Sequence, residues 1–147
     1  MIRLGVYYTR CKMRKDSRLS RVLHVLIHLA ASDKPMTSGQ IAEMLSTNPV
    51  VVRRTMGMLR VQGYVDSAKG HSGGWTLIKP LNEITLLDVH NALGGPTLFT
   101  LGLTDEHSNC FIERAINEAL KTAMDDAEKK LLSRFGEITL DILAKRS

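Results

Sequence analysis

The run Asn48-Pro49-Val50-Val51-Val52-Arg53-Arg54 sets two adjacent guanidinium groups just behind a polar residue and a proline. An arginine fork of N–H donors matches a guanine edge or a phosphate, and valine offers an apolar contact to a thymine methyl. Asn48 reads as a helix N-cap, and Pro49 suits the first helical position, where its missing N–H is harmless. The N-terminus of a helix that begins there attracts phosphate. Val52, Met56 and Leu59 stand at i, i+4 and i+7 in residues 49–61, which predicts a core-facing stripe. Val50, Arg53, Arg54 and Gly57 then fall on the opposite side or its flank. Gly57 costs a helix about 1 kcal/mol relative to Ala, so it points to packing or a close approach. Taken alone, the pattern describes an amphipathic helix with a solvated basic face.

The flanking elements give that helix a setting. Thr37 with Gln40 three residues on is a capping box, and Ser38 follows it at the start of a short helix with Ile41, Ala42 and Leu45 apolar. Ser46-Thr47 form the turn. After residues 49–61, Gly63 reads as a C-cap. Residues 64–68 read as a strand, residues 69–74 as a glycine-rich turn and residues 75–78 as the returning strand, closed by Pro80. Lys69 and His71 sit at the tip, and Gly70 lets the backbone lie close to phosphates or enter a minor groove. Trp75 can stack on a base, although a lone Trp at such a base more often anchors packing. The glycines at 70, 73 and 74 follow a strand and open no helix, so they are not a nucleotide-binding fingerprint. The sum is a winged helix-turn-helix whose expected DNA contacts are Thr37, Ser38, Asn48, Pro49, Val50, Arg53, Arg54, Lys69, Gly70 and His71.

The remaining elements support this head or extend from it. Residues 1–16 show no helical period and read as a loose arm, an added strand or a start-site extension ahead of Met13. Residues 17–31 form a helix with Leu19, Val22, Leu23, Leu26, Ile27, Leu29 and Ala30 inward and Ser17, Arg21, His24 and His28 on the other face. His24 and His28 can grip a metal at i,i+4, but no third ligand is close in sequence, and a solvated or subunit-facing edge is the expectation. Residues 85–93 form a short helix capped by Thr85, and Gly94-Gly95-Pro96 marks the domain edge. Residues 97–109 are irregular, with Phe99 and Leu101 expected inward. Residues 110–135 form the longest helix, ended by Gly136, with Asp125–Lys129 and Asp126–Lys130 as outward i,i+4 pairs. Its stripe of Ile112, Ile116, Ala119, Leu120, Ala123, Met124, Ala127 and Leu131 has too little company within one chain. Pairing with a second copy covers it, and a two-fold dimer sets two reading helices about one DNA turn apart.

The expected fold is therefore mainly α with a small β-hairpin: a winged helix-turn-helix domain plus a long C-terminal dimerisation helix. Its divisions are an arm at 1–16, the DNA-binding domain at 17–93, a linker at 94–109 and the dimerisation helix with a final segment at 110–147.

Charge follows the same division. Residues 1–80 hold 13 basic and 4 acidic side chains, and residues 81–147 hold 7 and 11. The basic part suits a polyanion, although uneven surface charge alone produces such a split. Cys11 and Cys110 show no CxxC spacing, which fits a reducing cytoplasm rather than a disulfide framework. The longest apolar run, residues 22–31, is broken by His24 and His28 and falls far short of the roughly 20 residues of a membrane span. No nucleophile–base pair, spaced carboxylate pair or phosphate loop points to an enzyme.

The segments SRLSRVLHVLIHLA, NPVVVRRTM, KGHSGGWTL and ITLLDVHNALG, with the region from Cys110, resemble one bacterial family. This family of winged-helix regulators includes the iron–sulfur cluster regulator, the nitric-oxide-sensitive repressor and the cysteine-metabolism repressor. The resemblance spans roughly residues 13–145, and K/R-G-x-x-G-G-aromatic at the wing is its most specific element. It implies a cytoplasmic, homodimeric repressor that reads a palindromic operator with residues 49–61 in the major groove and the wing, residues 69–74, in the minor groove. Cluster-binding members carry three close cysteines where this chain has His107 and Cys110, so the resemblance is to members that lack a cluster, and no cofactor is expected. Cys110 at a helix N-terminus is either a reactive thiol, with His107 nearby, or a small buried residue that packs. The alternative function is thus a thiol-redox or small-ligand sensor with DNA binding as its output. The pattern names no effector.

Overall fold

Ser17 leads into the first helix, α1 (Arg18–Ala31), of a computed structural model that describes residues 17–71, 73–99, 102–104 and 109–146. The arm of residues 1–16 with Cys11 and Met13, and also Ser72, Leu101 and His107, lie outside the described residues. α1 buries Val22, Val25, Leu26 and Leu29. Ala30, expected inward, is exposed, and Val25 takes its place because α1 leans on the hairpin and the fourth helix. His24 and His28 are exposed as expected.

The short α2 (Ser38–Met44) begins with both halves of the capping box. Gln40 N–H donates to Thr37 Oγ1 at 3.1 Å, and Thr37 N–H donates to Gln40 Oε1 at 2.9 Å. Ser46 makes the turn in a left-handed conformation, φ 51°, and α3 (Pro49–Val61) packs across α2. Gly63, φ 78°, ends that run, and β1 (Val65–Ala68) pairs antiparallel with β2 (Gly74–Leu77) in the register Val65 to Leu77 and Ala68 to Gly74. Tyr64 and Ile78, expected in the strands, lie just outside them.

A single 3₁₀ turn (Leu81–Glu83), preceded by Pro80, leads to α4 (Leu86–Ala92). Thr85 and Asp88 cap it with a second reciprocal box. α5 (Phe111–Gly136) is the longest helix at 26 residues, and α6 (Leu140–Ala144) ends the fold. Gly136, expected to cap α5, is its last helical residue, and Glu137 closes it.

The final segment does not stay with the long helix. Leu86 N–H donates to the Ile138 carbonyl at 3.0 Å, and Leu140 N–H donates to the Ile84 carbonyl at 2.9 Å. Leu140 and Ile84 are both fully buried in the core shared by α1, α3, the hairpin and α4. α6 thus packs on the winged domain and pins the C-terminal end of α5 to it.

Two packing expectations fail. Phe99 is 42 % exposed rather than tucked inward. The described part of its loop runs along α5, with Leu98 N–H donating to Glu128 Oε1 at 2.8 Å and Asn117 Nδ2 donating to the Thr104 carbonyl at 3.3 Å. Those bonds fix the backbone and leave the phenyl ring outside. Among the described residues the ion pairs are Arg134–Glu137 and Lys145–Asp141, so Asp125–Lys129 and Asp126–Lys130 stay open on a solvated face.

Candidate nucleic-acid interface

α3 is sharply two-sided. Asn48 Oδ1 accepts from Val50 N–H at 2.7 Å, which caps the helix start, and Pro49 occupies its first position. Val52, Met56 and Leu59 are buried, as their spacing predicts. Val50, Arg53 and Arg54 are exposed, and Val50 keeps 61 % of its surface. The face away from the core therefore presents two guanidinium groups beside the exposed apolar side chains of Val50 and, at the far end, Val61. Gly57 stands on this side, and among the described residues nothing beyond its own helix backbone and chain neighbours lies within 4 Å of where a Cβ would sit. No close internal packing explains that glycine, contrary to one of the two readings of it, and the bare surface there is open to an outside molecule.

The wing stands beside this face because β2 is bonded on both sides. Met36 N–H donates to the Trp75 carbonyl at 3.1 Å, and Trp75 N–H donates to the Met36 carbonyl at 2.8 Å. Gly74 makes this approach possible. Its φ is 146°, and a Cβ would lie 2.7 Å from the Met36 carbonyl oxygen. At Gly73 a Cβ would overlap the Ala68 carbonyl oxygen. The paired glycines are thus demanded by the base of the wing, while Lys69, Gly70 and His71 are exposed at its tip.

Trp75 is buried and acts as the anchor rather than as a stacking platform. Its Nε1–H donates to Ser38 Oγ at 2.9 Å. Ser38, expected at the DNA, therefore holds the wing as well, and its own hydroxyl proton remains to be donated elsewhere. Thr37 is committed as acceptor in the capping box. At the far end of α3, Arg60 donates to Ser67 Oγ at 3.3 Å and ties the helix to β1. Sequence reasoning missed the Ser38 and Arg60 contacts, since neither follows from local spacing. It also missed Lys79, whose ammonium lies 5.3 Å from the Tyr64 ring centre under the wing. Burial pushes the Tyr64 hydroxyl pKa up, and the Asp88 carboxylate adds to that.

His24 and His28 meet edge to face with ring centres 4.6 Å apart. Among the described residues, no three His, Cys, Asp or Glu side chains gather as a metal site. Among the same residues, no helix is long and apolar enough to cross a membrane.

A family model described as Rrf2, iron-dependent transcriptional regulator, matches residues 16–146. The chain belongs to the Rrf2 family. It is an Rrf2 transcriptional regulator with a DNA-binding winged helix. A Bacillus subtilis protein named as an HTH-type transcriptional regulator, YwgB, is 27 % identical over 138 residues, which cover 86 % of this chain and 88 % of that one. The structure of CymR, the global cysteine regulator of B. subtilis, matches with a TM-score of 0.61 and 25 % identity, covering 89 % of this chain and 95 % of that chain. The fold is also that of a transcriptional-regulator structure from Lactobacillus plantarum, with a TM-score of 0.73, 24 % identity and coverage of 86 % and 87 %.

Proposed function

We propose that this Rrf2 protein is a homodimeric repressor that reads a palindromic operator. In each subunit α3 enters a major groove, and the wing tip at residues 69–74 reaches the adjacent minor groove. The observation that carries the reading is the division of α3 into buried Val52, Met56 and Leu59 and exposed Val50, Arg53 and Arg54. Arginine forks suit guanine or phosphate, and Val50 suits a thymine methyl. Thr37, Ser38, Asn48 and Pro49 lie at or just before the starts of α2 and α3, where hydroxyls and N–H groups fix position on phosphates. Lys69, Gly70 and His71 supply the minor-groove contact.

Dimerisation is assigned to α5. Phe111, Ile112, Ile116 and Leu120 are exposed at 76, 67, 54 and 39 %, on a helix that buries no residue within its own chain. Ala119, Ala123 and Ala127 are exposed beside them, and small residues let two helices approach closely. Met124 and Leu131 are half-buried and continue the stripe. A two-fold pairing covers the same patch on both copies.

The reading includes no iron–sulfur cluster, although the family description speaks of iron dependence. A cluster takes about four ligands, chiefly cysteine thiolates. The chain has two cysteines in all, and Cys110 is the one among the described residues. That donor set does not fit the group.

A second reading, thiol sensing, gains from one observation. Cys110 is exposed at the N-cap of α5 and is not a small buried packing residue. Oxidation there would act at the start of the proposed dimer helix. Peroxide that leaves DNA affinity equal in the parent and in Cys110→Ser removes this reading.

The operator reading is tested by selecting bound fragments from a random DNA pool and titrating the winner at several salt concentrations. A palindromic consensus is expected, with affinity falling steeply as salt rises. Absence of binding at low salt sinks it.

A further inference from the structure

Gly57 lies inside α3, more than one turn from either end. A glycine there weakens the helix, because it gives up more backbone freedom on folding than alanine does. Two reasons account for other glycines of the fold. Gly63, Gly70 and Gly74 hold positive φ, and a Cβ at Gly136 would meet the Leu87 side chain at 3.4 Å. Neither reason applies at Gly57. Its backbone is helical, and among the described residues nothing beyond that backbone and its chain neighbours lies within 4 Å of a Cβ built on it. The gain that offsets the weaker helix is therefore sought outside the subunit.

Val50, Arg54, Gly57 and Val61 follow at i, i+4, i+7 and i+11 and form one row along the helix. Val50, Arg54 and Val61 are exposed, while Val52, Met56 and Leu59 are buried on the opposite side. Gly57 thus leaves a notch in the row that faces away from the core. Exposed Arg53, one turn earlier, and Arg60, one turn later, flank it. A major groove is about 12 Å wide, and a helix with its side chains is about 10–12 Å across. In so tight a fit, a side chain on the leading face holds the helix axis away from the bases. A bare position there lets the axis sink and brings Arg53 and Arg54 nearer the base edges.

We infer that Gly57 is a specificity determinant: base edges on the floor of the major groove come against the α3 backbone at this residue. The inference rests on the operator reading above. The contact exists only in the deeply seated complex on the correct site. Binding to unrelated DNA, held by phosphate contacts, does not use it.

The test compares Gly57→Ala and Gly57→Leu with the parent on the selected operator and on an unrelated duplex, by anisotropy titration. Both substitutions install a stronger helix former, so both variants should melt about 2–4 °C above the parent. Operator affinity should nonetheless fall about tenfold for Ala and further for Leu, the scale of one lost base contact. Affinity for the unrelated duplex should change by less than about twofold, and the salt dependence should keep its slope, since no charge is altered. A glycine without this role predicts operator affinity unchanged or improved as the helix firms, and that result overturns the inference. An equal loss on both duplexes also overturns it, because the contact is then to phosphates. So does a lowered melting temperature, which reveals internal packing at Gly57. Sedimentation equilibrium without DNA checks for another occupant: a changed association state assigns the notch to a second copy and overturns the inference as well. A parent that binds no DNA removes the operator reading itself, whereas a binding parent with unaffected variants removes only the role of Gly57.

Discussion

Trp75 and Ser38 join the wing to the start of α2 through one hydrogen bond of 2.9 Å. The serine hydroxyl is the acceptor for an indole whose residue is 8 % exposed. In Ser38→Ala that N–H loses its partner, at a cost of about 1–3 kcal/mol. Ser38→Thr returns the acceptor and should recover most of the loss. Urea unfolding of the three proteins measures this, and an alanine variant as stable as the parent would mean that water replaces the hydroxyl.

Gly74 and Gly70 both have positive φ but differ in surroundings. A Cβ at Gly74 meets the Met36 carbonyl, whereas one at Gly70 meets nothing within 4 Å. Gly74→Ala must push the Met36 backbone off β2 and should cost about 2–3 kcal/mol. Gly70→Ala bears only the backbone penalty of about 1–2 kcal/mol. Thermal or denaturant unfolding should rank them in that order.

Arg54→Glu reverses a charge on the exposed face of α3. DNA affinity should fall by about a hundredfold or more at low salt, because a phosphate contact becomes a repulsion. Stability should change by no more than about 0.5 kcal/mol, as for other exposed sites. Anisotropy titration with labelled operator reads the first quantity. Retained affinity would remove Arg54 from the reading set.

Ile116→Asp places a carboxylate in the middle of the exposed α5 stripe. Ile116 is 54 % exposed within one chain, so the substitution should spare the subunit fold. Sedimentation equilibrium should show the parent as a dimer and the variant as a monomer, and loss of the second reading head should weaken operator binding. A variant that still sediments as a dimer would move the interface elsewhere.

Asp141 titrates below the ordinary carboxylate value. The Thr139 hydroxyl is the leading cause, and the Lys145 ammonium adds to it. The sign follows from the depressed folded value. The contribution to stability is present above the unfolded pKa and is lost as pH falls through the lower folded one. Thr139→Val should move the Asp141 titration, followed by carboxyl NMR, back toward the ordinary range. Any stability gap between the two proteins should close in acid. An unchanged titration would leave Lys145 as the cause.

The features legible in the chain are those set by neighbours in sequence. Asn48, Pro49 and the Val52–Met56–Leu59 spacing fix the start and inward face of α3 through capping and helical period, both local properties. Thr37 with Gln40 is local in the same way. The Trp75–Ser38 bond spans 37 residues of chain, and no spacing rule announces it. The Leu140–Ile84 contact is equally remote, so residues 137–145 read as a tail of the long helix rather than as core. Ala30 and Val25 exchanged places because both lie near the edge of one helical face, where the neighbouring elements decide. Phe99 stays outside because the tether of its loop at Leu98, not its hydrophobicity, sets where the ring lies.

The burial of Leu140 against Ile84 has a consequence for synthesis. The winged domain lacks part of its core until Leu140 has left the ribosome. A chain stopped within α5 would carry all of α3 and the wing, yet would lack the residue that closes the packing behind them. The packing behind α3 and the wing is therefore complete only after the whole of α5 has been made.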